Sequence, residues 1–345
     1  MNKKLTLSDY GKVPDTAGLP GIPARITAQH RDRYEIVCEE GHAYARLKTS
    51  AYYGGEEIFP TVGDYVMVKY IENGDSQILC TLPRKSFFGR LASGPIPEEQ
   101  AVAANFDYVF ILQSMNRNFN LRRLERYLAL SWQSGAMPVI VLTKADMTDE
   151  AFDYVTQAKS VAPGVDVYAV SSRTGEGLES LEPYLKPGRT LVFLGSSGVG
   201  KSSLVNALSG EEIMATGEIR ETDSRGRHTT THRQLIRLRN GVLIIDTPGM
   251  RELGMVEASS GLESTFEDVE KYLGRCRFSN CRHEREPGCA IREAIKSGEL
   301  ELSRWKSYQK LKLESDDSEE RMRRKKEWSK AVAKANKQRQ KSGRR

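Results

Sequence analysis

The chain has 345 residues, 39% hydrophobic and 28% charged, which is the balance of a globular protein with room for two or three domains. No apolar run approaches the ~20 residues that span a bilayer, and residues 1–9 lack the apolar stretch of a secretory signal. A cytoplasmic monomer with reduced thiols, neither membrane-spanning by a helix nor exported, is therefore expected.

The net charge of +6 is unevenly placed. Residues 321–345 hold twelve Lys or Arg and one acid, Glu327, so they carry +11 and leave −5 on the first 320. A basic tail of this kind points to an acidic polymer, nucleic acid first. A solvated end without a target would have the same composition.

Residues 1–20 are rich in Gly, Pro, Asp and Thr without periodicity and read as a flexible start. From 21 to 84 the pattern is β. Alternating runs at 24–26, 34–38, 43–47, 65–70 and 77–82 are separated by turns at Glu40-Gly41, Gly54-Gly55 and Asn73-Gly74. Five short strands in about sixty residues suggest a small barrel of the OB type, which binds oligonucleotides in many proteins and serves only for docking in others. Residues 85–104, with Gly89, Gly94, Pro95 and Pro97, read as a linker.

An α/β domain is expected over 105–255. Strands are predicted at 106–112, 138–142, 165–170, 190–194, 234–238 and 242–245. A helix opens after the cap Asn120 with Leu121, Leu124 and Leu128 on one face. Strands alternating with helices imply a mostly parallel sheet with right-handed crossovers.

Within this domain Gly195, Ser196, Ser197, Gly198, Val199, Gly200, Lys201 and Ser202 form the G-x-x-x-x-G-K-[ST] phosphate loop, between a predicted strand and a helix beginning at Ser203. Its glycines let backbone N–H groups converge on a polyphosphate. Lys201 supplies charge to the terminal phosphates, and the Ser202 hydroxyl suits Mg2+. Asp246 and Gly249 form D-x-x-G after the strand 242–245; the carboxylate can hold Mg2+ through water and the Gly249 N–H can meet a γ-phosphate.

Thr143, Lys144 and Asp146 form T-K-x-D, with Thr where Asn is usual. An ionised carboxylate accepts both N1–H and the exocyclic amine of guanine, while adenine offers no matching pair. Asp146 is thus the specificity residue, with the Lys144 stem lying against the base. Ser171 and Ser172, after another strand, place a backbone N–H for the guanine oxygen. Taken singly, these last segments are ordinary strand-end turns or helix starts; together with the phosphate loop they describe one site.

The polar stretch 223–232 contains His228, Thr229 and Thr230. One of the two threonines is expected to complete Mg2+ coordination once triphosphate binds. Met250 stands where many GTPases have a water-orienting Gln, so intrinsic hydrolysis should be slow. His228 is either the orienting residue or one facing RNA or solvent.

The order of these motifs is base-reading first and phosphate-binding second, the reverse of Ras-like GTPases. Further on, in a region 256–315, stand Cys276, Cys281, His283 and Cys289. Three thiolates and an imidazole suit tetrahedral Zn2+ with no position left for water, a structural site. Flanking segments at 260–273 and 290–313 read as helices, with Ile291, Ile295, Leu302 and Trp305 as core. Cys38 and Cys80 read as small apolar residues of the barrel.

The permuted order, the run from Gly226 through Thr231 and the flanking modules resemble the ribosome small-subunit-dependent GTPase A family over roughly residues 20–315. The resemblance implies an OB-fold, a circularly permuted P-loop GTPase domain and a mainly helical zinc-binding domain carrying the same Cys3His set, followed here by a basic tail at 316–345. It implies a GTP hydrolase that binds the small ribosomal subunit and its rRNA and acts late in subunit assembly, turning GTP into GDP. The alternative is a GTP-gated switch acting on a non-ribosomal RNA or ribonucleoprotein.

Overall fold

The computed structural model describes residues 4–48, 58–91, 99–214, 233–246 and 259–342. The chain forms two compact units, residues 1–89 with 101–253, and residues 90–100 with 254–345.

The first unit begins with five strands: β1 (Ile22–Gln29), β2 (Tyr34–Cys38), β3 (Gly41–Leu47), β4 (Tyr65–Lys69) and β5 (Ser76–Thr81). β1 pairs antiparallel with β2 and with β4, β2 antiparallel with β3, β3 parallel with β5, and β5 antiparallel with β4. The circuit closes, giving the five-stranded barrel expected of an OB-fold. The period of two sends Ala24, Ile26, Ile36, Cys38, Val66, Val68 and Ile78 into one apolar cluster.

β6 (Phe87–Leu91) and β7 (Glu99–Ala104) form a two-stranded ribbon where the sequence read as a linker. Phe88 is buried and stacks on Phe106, centroids 4.8 Å apart. The start of the chain is also more structured than its composition suggests. A 3-10 turn at Leu7–Tyr10 buries Leu7 and Tyr10, and the Thr6 N–H donates to Asp9 Oδ2 at 3.1 Å. Two apolar side chains suffice to anchor a segment that otherwise looks loose.

The α/β half contains β8 (Tyr108–Ser114), α1 (Leu121–Gln133), β9 (Met137–Thr143), α2 (Ala151–Val161), β10 (Val167–Ala169), β11 (Thr190–Gly195), α3 (Lys201–Ser209), β12 (Arg233–Arg237) and β13 (Leu243–Asp246). Strands β10-β9-β8-β11-β13 are parallel in that spatial order, and β12 is antiparallel to β13. Their sequences are continuous apolar runs because both faces are covered; Val109, Phe110, Val139, Ile140 and Leu191 are all fully buried. Asn120 caps α1 as expected, its side chain accepting from the Arg123 N–H at 3.0 Å.

β1 carries a bulge between Ile26 and Ala28. Beyond it, Ala28 pairs with Gln234 and Gln29 with Arg233 of β12. Barrel and parallel sheet therefore share backbone hydrogen bonds in one eleven-stranded sheet.

The second unit contains α4 (Ser259–Thr265), α5 (Glu267–Glu270), α6 (Ala290–Ser297) and α7 (Leu302–Ser342). Leu262, Phe266, Val269, Ile291, Trp305 and Tyr308 are buried in it. Arg304 lies over the Phe266 ring at 4.1 Å and donates to both Asp268 oxygens and to the Thr265 carbonyl. The single helix read over 290–313 is two, because Gly298 ends α6 at φ +81° in the left-handed region. Leu302, read as core, is 50% exposed at the start of α7, Ile295 is half-buried, and Ile291 and Trp305 are buried as expected.

Candidate nucleotide site and metal centre

The chain runs outward from β8 to β9 and β10, then returns to place β11 on the other side of β8. Such a reversal leaves a crevice beyond the carboxyl ends of the strands, where open α/β sheets bind ligands. Every described nucleotide motif lies at one of those ends.

β11 delivers residues 195–200 into the crevice, and α3 begins at Lys201. Gly198 and Gly200 have φ of +68° and +101°, a backbone that a Cβ disfavours. Val199 is buried beneath the loop, while Ser197 and Gly198 are exposed and Gly195, Ser196 and Gly200 half-buried. The loop's face is thus open at its tip and anchored at its base. Asn118, after β8, donates to Ser196 Oγ at 2.9 Å. Ser202 is half-buried and Ser203 exposed in the first turn of α3, where the helix dipole favours an anion.

Asp246 ends β13 with only 6% exposure. Lys201 Nζ donates to its Oδ1 at 2.6 Å. The phosphate-loop cation and the carboxylate expected near Mg2+ are therefore neighbours. Gly249, His228, Thr229 and Thr230 lie outside the described residues.

Thr143 ends β9 and is buried, its hydroxyl donating to the Val199 carbonyl at 2.5 Å. This residue ties the segment that carries Asp146 to the phosphate loop, a link that the short hydroxyl can make at the position usual for Asn. Lys144 follows with φ +65°, and that left-handed turn starts the 3-10 helix Ala145–Met147. Asp146 then receives the Ser171 hydroxyl on Oδ1 at 2.6 Å and Arg173 Nε on Oδ2 at 3.0 Å. The Ser171 hydrogen bond above all holds the Asp146 carboxyl below the ordinary aspartate value. Ser171 is fully buried and Ser172 half-buried. The Ser171 oxygen also accepts the N–H groups of Arg173 and Thr174 at 3.3 and 3.2 Å, so the turn after β10 fixes the orientation of Asp146. The Ala145 N–H donates to the Val170 carbonyl at 3.1 Å and joins the two segments.

Sequence reasoning missed Arg173 and Asn118. Arg173 follows Ser171-Ser172 directly, which was the only signal, since the acid it meets, Asp146, is far from it in the sequence. Asn118 gave no such signal, because its partner Ser196 is 78 residues away.

In the second unit the ligand atoms of Cys276, Cys281, His283 and Cys289 all lie within 4.8 Å of one another. His283 Nδ1 is 3.5 Å from Cys276 Sγ and 3.4 Å from Cys289 Sγ, and those two sulfurs are 4.0 Å apart. A tetrahedron with metal–sulfur and metal–nitrogen bonds near 2.3 and 2.0 Å has edges of about 3.5–3.8 Å, so the donors fit a tetrahedral ion. Burial works against the Cys276 thiolate, but backbone N–H groups of Ala290 and Ile291 at the start of α6 bring its pKa below the ordinary thiol value. Glu286 accepts from the N–H groups of Arg282, Glu284 and Arg285 at 2.9–3.0 Å, which holds its carboxyl down to about 2 and ties the loop that carries His283.

A parallel sheet with a phosphate loop, a carboxylate at a neighbouring strand end and a T-K-x-D segment earlier in the chain has the motif order of a circularly permuted P-loop GTPase. The RsgA GTPase family model matches residues 81–256, a span that contains all these motifs. The chain belongs to the RsgA GTPase family and is a GTP hydrolase. It is 49% identical over 291 residues to the small ribosomal subunit biogenesis GTPase RsgA 1 of Listeria innocua, covering 84% of this chain and 82% of that one. It is also similar to the crystal structure of YjeQ from Thermotoga maritima, with a TM-score of 0.62, 27% identity, and coverage of 84% and 96%. YloQ, a circularly permuted GTPase, matches with a TM-score of 0.58 and 26% identity over 88% of this chain and 98% of that one. An ABC transporter model matches residues 178–337. That span contains the phosphate loop, a feature shared by many nucleotide hydrolases, but not the strand that carries Thr143 to Asp146. No helix among the described residues is long and apolar enough to cross a membrane.

Proposed function

We propose that this chain binds the small ribosomal subunit through rRNA, hydrolyses GTP there, and assists the subunit's late maturation in the cytoplasm as a monomer. The observation that carries this reading is the 49% identity to a protein named for small-subunit biogenesis, extending over 84% of this chain. The basic end of the chain, on the long helix α7, supports an RNA partner.

In this reading Asp146, Lys144 and the backbone of Ser171 and Ser172 select guanine. Residues 195–203 cradle the phosphates. Ser202 and Asp246 hold Mg2+, which neutralises charge on the phosphates, and Thr229 or Thr230 joins them. Gly249 meets the γ-phosphate, and His228 is the candidate for orienting water. Met250 cannot take that last role well, so the subunit is expected to supply or position what is missing. The domain limits follow the sequence reading: a barrel at 21–84, the GTPase domain at 105–255 and the metal-binding domain at 256–315.

The test is GTP turnover with and without purified small subunits. Stimulation of about tenfold or more is expected, since groups supplied by a partner raise GTPase rates by larger factors elsewhere. Equal turnover in both conditions would remove the ribosome from the account, and stimulation by unrelated RNA alone would favour the non-ribosomal switch.

The Cys3His cluster is assigned to one structural Zn2+ on the chemistry of its donors. Its free energy of binding is then folding free energy of the second unit, on the order of 10 kcal/mol. Strong chelation should reduce far-UV ellipticity and leave nucleotide binding by the first unit in place. An unchanged spectrum after complete metal removal would show that the cluster does not hold this unit together.

A further inference from the structure

A cleft of about 890 Å3 opens in the first unit at the amino ends of the parallel strands. Asp107, just before β8, and Thr190, the first residue of β11, are on its wall. The phosphate loop follows the other end of β11, about 17 Å away at 3.3 Å per residue. The cleft is therefore separate from the nucleotide site.

Its charge is one-sided. Lys12, Arg25, Arg84, Lys85, Arg189 and Arg237 line it, against the carboxylates of Asp9 and Asp107. Counting Asp64 as well, which is fully buried and bound to Arg84 at 2.7 Å, three positive charges stay uncompensated. Lys85 and Arg189, each about half exposed, share the same oxygen of Asp107 at 2.8 and 2.9 Å. Arg237 reaches Asp9 only at 3.9 Å, and Lys12 is exposed.

Arg25 forms the floor and is 1% exposed. Its guanidinium donates to the carbonyls of Gly63, Tyr10 and Asn105 and to the Thr190 hydroxyl. Those four acceptors are all neutral, and among the described residues one of its five N–H groups stays uncommitted. A buried cation is ordinarily paired with a carboxylate. Here burial pushes the guanidinium pKa down, and the carboxylates of Asp107 and Asp64 act on it through space with no direct ion pair among the described residues. Gly11 packs against it at φ +99°, where a Cβ would stand 2.9 Å from Tyr65 Oη and 3.1 Å from Arg25 Nη1. The space over the guanidinium thus depends on a residue without a side chain.

We propose that this cleft is a second anion site, built for phosphate groups and filled by the sugar-phosphate backbone of single-stranded RNA. Its volume far exceeds one phosphate, and a cation-lined cleft with low-dielectric walls focuses potential on such a chain. The one aromatic ring on the wall, Tyr65, is buried beneath Arg25 at 4.8 Å. Among the described residues the wall offers no further ring for stacking, so recognition is of phosphates and independent of base sequence. The inference stands apart from the ribosomal reading, because any single-stranded RNA should bind.

The full-length protein with saturating GDP, which fills the nucleotide site, is compared with the variant Lys12→Ala/Arg189→Ala. Binding of a labelled oligouridylate is followed across salt concentration, and binding of inorganic pyrophosphate by calorimetry. Each lost phosphate contact on a single strand lowers the log–log salt slope by about 0.7, so the variant should be shallower by about 1.4 while GTP turnover is unchanged. The basic end of the chain contributes equally to both proteins and cancels. Loss of pyrophosphate binding with an unaltered RNA slope would keep the site and assign it to free phosphate compounds. Wild-type values in both arms would overturn the proposal. If the double variant loses its cooperative melting transition, Lys12→Glu, at an exposed position, is read in its place with the same outcomes.

Discussion

Asp146→Asn should abolish the preference for GTP over ATP, lowering it from the ~10^4 that a hydrogen-bonding site can reach towards unity. The carboxylate is held by Ser171 on one oxygen and Arg173 on the other. An amide keeps an oxygen for Ser171 but turns an NH2 group towards the two donors of guanine, so donors face donors. The Arg173 contact does not protect the wild-type site from guanine, because that side chain is 81% exposed and a surface ion pair is weak and easily exchanged. Xanthine, which has a carbonyl where guanine has its amine, should bind the variant better than guanine does. The depressed pKa of Asp146 has a defined sign. The carboxylate stays ionised as pH falls through the ordinary aspartate range, so guanine selection should persist there and fail only below it. Competition titrations with GTP, ATP and XTP read these expectations directly. An Asn variant that still chose GTP over ATP by the wild-type factor would place the base elsewhere.

Lys201→Ala should lower turnover by about 10^3-fold or more, the scale of removing an electrostatic group that meets developing charge. The ammonium pairs with the end of β13, at 2.6 Å from Asp246 Oδ1. Without it Asp246, 6% exposed, loses the cation it is paired with, and in the proposed site the phosphates lose a compensating charge. The loss should therefore appear in GTP affinity as well as in rate. Phosphate release at saturating GTP, with nucleotide affinity measured in parallel, separates the two. Substantial activity in a folded Lys201→Ala protein would mean that the crevice at the carboxyl ends of the strands is not where hydrolysis occurs.

The parts of the molecule legible in the sequence are those set by local chemistry. β2 was read at residues 34–38 and is Tyr34–Cys38, because alternation and a Glu40-Gly41 turn fix its register. The phosphate loop was readable because its glycines and Lys201 have few alternative uses in a strand–loop–helix. Thr143 was legible as part of a base-reading segment but not as a clamp on Val199, since a hydrogen bond across 56 residues has no local signature. The ribbon of β6 and β7 was hidden by composition: Gly89, Gly94, Pro95 and Pro97 together read as a linker. Arg25 sits inside an apolar run, and nothing in that run announces a buried charge.

The pairing of Ala28 with Gln234 and Gln29 with Arg233 has a bearing on how this architecture can be taken apart. A tethered module can be cut at its tether and swapped. Here the seam is made of main-chain bonds between segments two hundred residues apart, so excising the barrel would strip β12 of a partner and leave a raw edge beside the nucleotide crevice. Barrel and hydrolase must be inherited, expressed and engineered together.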